Sequence, residues 1–251
     1  MAGWRAPTSV RPKARMPLSE MAARALAGQG ERPTALHNNC SGKHAGFICL
    51  ACGLDMNPAG YVAPTHRVQE VVRAALEDLT GASHGDEVRA VDGCSIPTYA
   101  LPLTALAFGF AKFGTGVGLS PSCAKAAARI RRAVAAHPFM VAGTGRFDTV
   151  LMERLGERAF VKAGAEGVHC AALPELGYGI AVKCDDGAKR AAEVVLAALI
   201  RRFLPLDGEA RDDRCVRATD AHELERGRGG RDSDRWAAIH VDWSPDSEAL
   251  S

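Results

Sequence analysis

A chain of 251 residues, 47% of them hydrophobic, is long enough to bury a sizeable core in one large or two small domains. Its formal net charge of +2 gives no argument for nucleic acid or for an acidic partner, and no run of about 18 or more apolar residues is present to form a transmembrane helix. Eight cysteines in a chain of this length suit reduced thiols in a cytoplasmic compartment better than a disulfide framework. Cys49, Cys52, Cys123, Cys170 and Cys184 fall in apolar or helical runs, where buried thiols are expected.

Taken in order, residues 1–16 are arginine-rich, lack acids and carry no apolar stretch of a secretion signal, so a disordered or atypical start is expected. Leu18, Met21, Ala22 and Leu26 predict a helix over 17–28. A dense polar stretch follows at 36–46, then an apolar helix over 43–54 that stops at Gly53 and Pro58. Val68, Val71, Val72, Ala75 and Leu79 share one face of an amphipathic helix over 65–79, ended by Gly81. A short strand at 88–91 leads into a turn at 92–98. An apolar, small-residue helix is expected over 101–113. Ser120 and Pro121 form a helix start that runs to about Ala136. Residues 137–147 read as a glycine-containing loop and 148–155 as a helix. Strands follow at 159–161, 168–171 and 179–183, then an apolar-faced helix at 188–203. Residues 207–251 are polar and charged, and a disordered tail is expected. This order suits an α+β domain spanning 17–206.

The stretch Leu36-His37-Asn38-Asn39-Cys40-Ser41-Gly42-Lys43-His44-Ala45-Gly46 packs a thiol, a hydroxyl, an amine, two imidazoles and two amides ahead of an apolar helix. Polar groups this dense cost desolvation if buried and point to binding or chemistry. Cys40 and Lys43, three residues apart, share one face of a helical turn, and Cys94 sits in a separate glycine-containing turn. Two thiolates with a third donor make a soft-metal site, zinc above all. Lys43 as that donor must be neutral, at a cost of about 4–5 kcal/mol at pH 7 that coordination would offset. His44 is a chemically cheaper ligand but points one residue round the helix. Two plainer readings stand beside this: cysteines used for packing, and Ser41-Gly42-Lys43 holding an anion at a helix start. The upstream glycine of a phosphate-binding loop is missing.

Lys162-Ala163-Gly164-Ala165-Glu166-Gly167 reads first as a hairpin turn. Lys183, at a strand end beside Asp185 and Asp186, is either a surface lysine or one desolvated enough to act as a base. Ser122-Cys123-Ala124-Lys125 has the Ser-x-x-Lys spacing of some acyl-transfer enzymes, but its place at a capped helix start favours a structural role.

Together, the 37–46 stretch, Asp92-Gly93-Cys94-Ser95-Ile96-Pro97-Thr98, Gly145-Arg146-Phe147-Asp148-Thr149, 162–167 and 183–187 resemble the asparaginase II family, the Rhizobium-type L-asparaginases, over about 17–203. The resemblance implies a fold like the serine β-lactamase and glutaminase group, with helices packed on an antiparallel sheet, here incomplete. It implies hydrolysis of L-asparagine to L-aspartate and ammonia by serine–lysine acyl-enzyme chemistry. It also implies a Zn2+ site on Cys40, Lys43 and Cys94, a catalytic Lys183, and a substrate pocket lined by His44 and Asp92. The expected partner is L-asparagine, with neither nucleic acid nor membrane, and a homodimer is compatible. The family's nucleophilic Ser-x-x-Lys pair, and a serine that partners the Lys183 position, precede the His-Asn-Asn-Cys motif. The 36 residues ahead of that motif here hold no such pair, Ser9 and Lys13 being one residue too far apart. A homologue truncated at its N-terminus and divergent at its C-terminus is therefore expected, with a metal-binding remnant that lacks turnover as an alternative. A further alternative is a β-lactamase-like or glutaminase-like hydrolase using Ser122 and Lys125.

Overall fold

A computed structural model describes residues 14–204 and 238–239. The expectations for residues 1–13, and for the 207–251 tail apart from two residues, lie outside this range. The chain divides into two compact units: residues up to Glu77 with Ser83–Leu101, and Asp78–Ala82 with the residues from Pro102 onward.

The first unit opens with α1 (Glu20–Gly28), capped by Ser19, whose hydroxyl accepts from the Ala22 N–H. It continues with α2 (Ser41–Gly53), most of α3 (Arg67–Thr80) and the antiparallel pair β1 (Arg89–Val91) and β2 (Pro97–Tyr99). On α2, His44, Phe47 and Ala51 recur at helical steps and form its buried stripe. Phe47 and Ala51 join Tyr61, Val68, Cys94 and Ile96 in a small core. The 92–98 turn is thus the loop of a hairpin, with Val91 opposite Pro97. The second strand escaped the sequence reading because it is three residues long and starts with proline, which can only serve a strand at its edge or first position.

The second unit is built on a sheet of order β3 (Phe160–Ala163), β4 (Val168–Leu173), β5 (Tyr178–Lys183) and β6 (Ala238–Ile239). The first three strands are antiparallel, with Lys162 opposite Cys170 and Cys170 opposite Ala181. β6 pairs parallel with β5, within the segment expected as a tail. β4 and β5 are buried on both faces, which explains the apolar runs at 170–173 and 179–182 within them.

One sheet face is covered by α4 (Leu103–Thr115), whose Ala107 packs with Cys170 and Ala181. Gly179 permits this closeness: a Cβ there would lie 1.9 Å from the Ala107 carbonyl oxygen and 2.5 Å from the Ala111 nitrogen. The opposite face carries Val161, Ala171, Leu173, Ile180 and Val182. These pack on Met152 and Leu155 of α7 (Phe147–Leu155) and on Leu196, Leu199 and Ile200 of α8 (Lys189–Phe203). Each fully buried Leu or Ile contributes about 1.5–3 kcal/mol relative to exposure.

α5 (Pro121–Ala136) starts as expected, with Ser120 accepting from the Cys123 N–H. The expected loop 137–147 contains the four-residue helix α6 (Phe139–Ala142), too short to leave a periodic signal. The expectation of buried thiols holds for Cys170 and Cys184, but Cys49, Cys52 and Cys123 are exposed. A cysteine in a helical run is buried only if it falls on the core-facing stripe. The α+β class is as expected, with eight helices and small sheets among the described residues. No helix among them is long and apolar enough to cross a membrane.

Candidate metal centre and active site

Two backbone devices in the first unit bring distant thiols together. Asn38 Oδ1 accepts from the Cys40 N–H at 2.8 Å, fixing Cys40 at the entry to α2, where it is the N-cap residue. Cys94 sits at the tip of the β1–β2 hairpin. There the Asp92 N–H donates to the Ile96 carbonyl at 2.9 Å and the Ser95 N–H to the Asp92 carbonyl at 2.8 Å. Ser95 takes the left-handed conformation, at φ 76°, a conformation that costs a non-glycine residue about 1–2 kcal/mol. The Asp92 carboxylate turns back onto its own loop, accepting from Gly93 N–H at 2.7 Å and from the Cys94 thiol at 2.9 Å.

The result is a cluster of Cys40, Asp92 and Cys94 whose donor atoms all lie within 4.8 Å of one another. Lys43 joins it through an ion pair with Asp92 Oδ2 at 3.2 Å. The cluster's electrostatics describe a site holding protons. Burial and the hydrogen bond to Asp92 push the Cys94 thiol up to about 11. The Cys94 hydrogen bond, followed by that of Lys43, holds Asp92 below the usual carboxylate range despite burial. Burial works to lower Lys43, yet Cys40, Cys94 and Asp92 together hold its ammonium above the ordinary value.

This donor set fits a soft dication. Two sulfurs and a carboxylate in reach of one point are zinc ligands by type. The field that retains the Lys43 proton comes from groups of negative character, and a dication among them would invert it. The site brings together Cys40 and Cys94 of the expected set, with Lys43 beside them through its ion pair with Asp92. It adds Asp92, expected only as a pocket residue, as a donor in ligand range.

His44 lies on the buried side of α2, 2% exposed, and burial followed by the neighbouring Lys43 charge pushes its imidazole down. Its Nδ1 is 2.5 Å from the hydroxyl of Tyr61, a fully buried residue that the sequence reading missed. A lone tyrosine in a loop, 17 positions from its partner, leaves no spacing signal.

The remaining candidates belong to the second unit. Lys183 ends β5, half-buried, with its ammonium donating to the Cys184 carbonyl. Lys162 is exposed and donates to the Ala163 carbonyl, and the Gly164 N–H closes the turn on Val168, as a hairpin reading requires. Ser122 is exposed, its hydroxyl 3.1 Å from that of the helix-capping Ser120.

Asp148, part of the Gly145–Thr149 motif, is 3% exposed. It accepts from the Ala163 N–H at 2.8 Å and from Nε2 of the fully buried His169 at 2.7 Å, tying α7 to β3 and β4. Burial would raise this carboxyl, but the His169 hydrogen bond and the Ala163 N–H hold it below the ordinary range.

A model of the L-asparaginase II family matches residues 5–230, a span that includes every residue of the cluster. The chain belongs to the L-asparaginase II family. The matched span runs past the 17–203 range of the motifs at both ends, so the likeness is broader than they suggested. No curated protein matches the chain.

Proposed function

We propose that the chain is an L-asparagine amidohydrolase, releasing L-aspartate and ammonia, with a zinc site on Cys40, Cys94 and Lys43. The observation that carries this reading is the convergence of Cys40, Asp92 and Cys94 inside the region matched by the L-asparaginase II family. When bound, zinc supplies positive charge beside the substrate. Cys40 and Cys94 would hold it as thiolates and Lys43 as a neutral amine, their protons going to solvent, with Asp92 adding a donor of its own. His44 and Asp92 line the pocket, and the family resemblance makes Lys183 a catalytic lysine. A sheet with helices on both faces in the second unit is in keeping with a serine β-lactamase and glutaminase-like fold.

A second reading is a zinc-binding homologue without turnover. The single Ser-x-x-Lys of the sequence, Ser122 to Lys125, has its serine engaged with the capping Ser120 at an exposed helix start. Purified protein given L-asparagine should release ammonia under the first reading and none under the second. Metal analysis should find zinc in the wild type and little in Cys94→Ala; equal zinc in both would sink the site under either reading. Turnover abolished by Ser122→Ala would install that serine as the nucleophile instead.

A further inference from the structure

Among the described residues, two buried side-chain nitrogens have no hydrogen-bond partner, His169 Nδ1 in the sheet unit and His44 Nε2, which lies in the unit of the metal cluster. An unsatisfied buried polar atom is costly, so a native site that keeps one needs a reason. The partner of the other ring nitrogen determines what this atom offers. Tyr61 is fully buried, its ring edge-on to His44 at 5.5 Å and tilted against Phe47 at 6.1 Å. Its hydroxyl meets His44 Nδ1 and makes no other hydrogen bond among the described residues. A phenol whose oxygen accepted from Nδ1–H would leave its own hydrogen buried and unpaired. The arrangement that satisfies the phenol has it donating to Nδ1. The hydrogen of the neutral ring then sits on Nε2.

His44 therefore holds a buried N–H donor that no acceptor among the described residues meets, and no lone pair for a metal. We propose that Tyr61 is a positioning residue that locks His44 in this tautomer, reserving Nε2–H for a carboxylate or carboxamide oxygen of L-asparagine. The proposal rests on the amidohydrolase reading for the identity of the ligand, but the locked tautomer stands on the geometry alone. His44 adjoins Lys43 in sequence, and Tyr61 packs in one core with Cys94, so the donor belongs to the same neighbourhood as the metal cluster.

Imidazole 15N spectra of the full chain test this, with the His44 signal assigned by its loss in His44→Gln. The wild type should show His44 as the Nε2–H tautomer, with a signal that moves on addition of L-aspartate. Tyr61→Phe, which removes one oxygen and keeps the ring, should lose the fixed tautomer and bind L-aspartate roughly tenfold more weakly, with zinc content unchanged. His44→Gln, which retains an N–H donor, should bind more tightly than His44→Leu. An Nδ1–H tautomer in the wild type overturns the proposal, as does a Tyr61→Phe protein that keeps both tautomer and affinity. Zinc loss in Tyr61→Phe would also overturn it, by making Tyr61 a support of the metal loop. A wild type that binds no zinc counts against the amidohydrolase reading, while the tautomer measurement still decides the role of Tyr61. A zinc-loaded wild type whose His44 signal ignores L-aspartate overturns the assignment of the donor to substrate.

Discussion

The two compact units spend their burial differently. The second encloses fourteen apolar side chains around one face of a sheet, while the main core of the first unit has six, and two of those six, Tyr61 and Cys94, also serve the candidate site. In the second unit the buried polar pair Asp148 and His169 fastens one element to another. In the first, the buried His44 meets the Tyr61 hydroxyl through one nitrogen, and Cys40 and Cys94 gather with Asp92 in a cluster of metal-ligand type. Among the described residues, each unit leaves one buried ring nitrogen unpaired, Nε2 of His44 and Nδ1 of His169, so what separates them is the use made of the groups that are paired. The sheet unit uses its buried polar contacts to hold α7 against β3 and β4, and the cluster unit gathers donors that a ligand could engage.

The strongest way to break this comparison is at the buried pair. Asp148→Ala leaves His169 and the Ala163 N–H without their acceptor, and should destabilise the chain by about 3–5 kcal/mol in urea unfolding. A loss below about 1 kcal/mol would show that the pair is not a fastening. Next comes Gly179→Ala, where the added Cβ meets the α4 backbone. Helix and strand must part, and a loss of about 3 kcal/mol is expected from the thermal midpoint. A well-folded variant of unchanged stability would mean that α4 is not seated on β5.

A smaller effect concerns acid. The folded-state carboxyl of Asp148 lies below its ordinary value, so its contribution is present above the unfolded carboxylate range, near pH 4. It is lost as pH falls through the folded value. Stability should therefore fall below about pH 4, and Asp148→Asn should flatten that limb; an equally steep limb in the variant would place the acid sensitivity elsewhere. The smallest effect has the opposite sign to the glycine change in the sheet. Gly46 lies in α2 with nothing within 4 Å of an added Cβ. Gly46→Ala should stabilise by about 0.5–1 kcal/mol through helix propensity, and a loss would reveal a constraint the free space does not show.

Much of this was legible along the chain. Seven helices and all three antiparallel strands of the main sheet follow from periodicity, apolar runs and cap residues, because burial on one helical stripe or across a strand leaves a repeating mark. The short elements β2, α6 and β6, of two to four residues, left no such mark, although β1 and β3 of similar length did. The candidate ligands were legible for a chemical reason: thiol, amine and imidazole crowded into 37–44 are more polar than packing alone requires. Exposure of cysteines was not, because Cys49 and Cys52 share a helix with the buried His44 and differ only in facing.

What the sequence determined by itself was a cluster of reactive groups at Cys40, Lys43 and His44, a second at Cys94, and a family likeness that joins them. Side-chain type and local spacing are properties of the chain, and they suffice for that. Tertiary structure decided that the Asp92 carboxylate stands among the thiols, that Tyr61 engages His44, and that Asp148 grips His169. These contacts join residues 52, 17 and 21 positions apart, from Cys40 to Asp92, His44 to Tyr61 and Asp148 to His169. At such separations loop closure and core packing set the distances, and no local pattern records them.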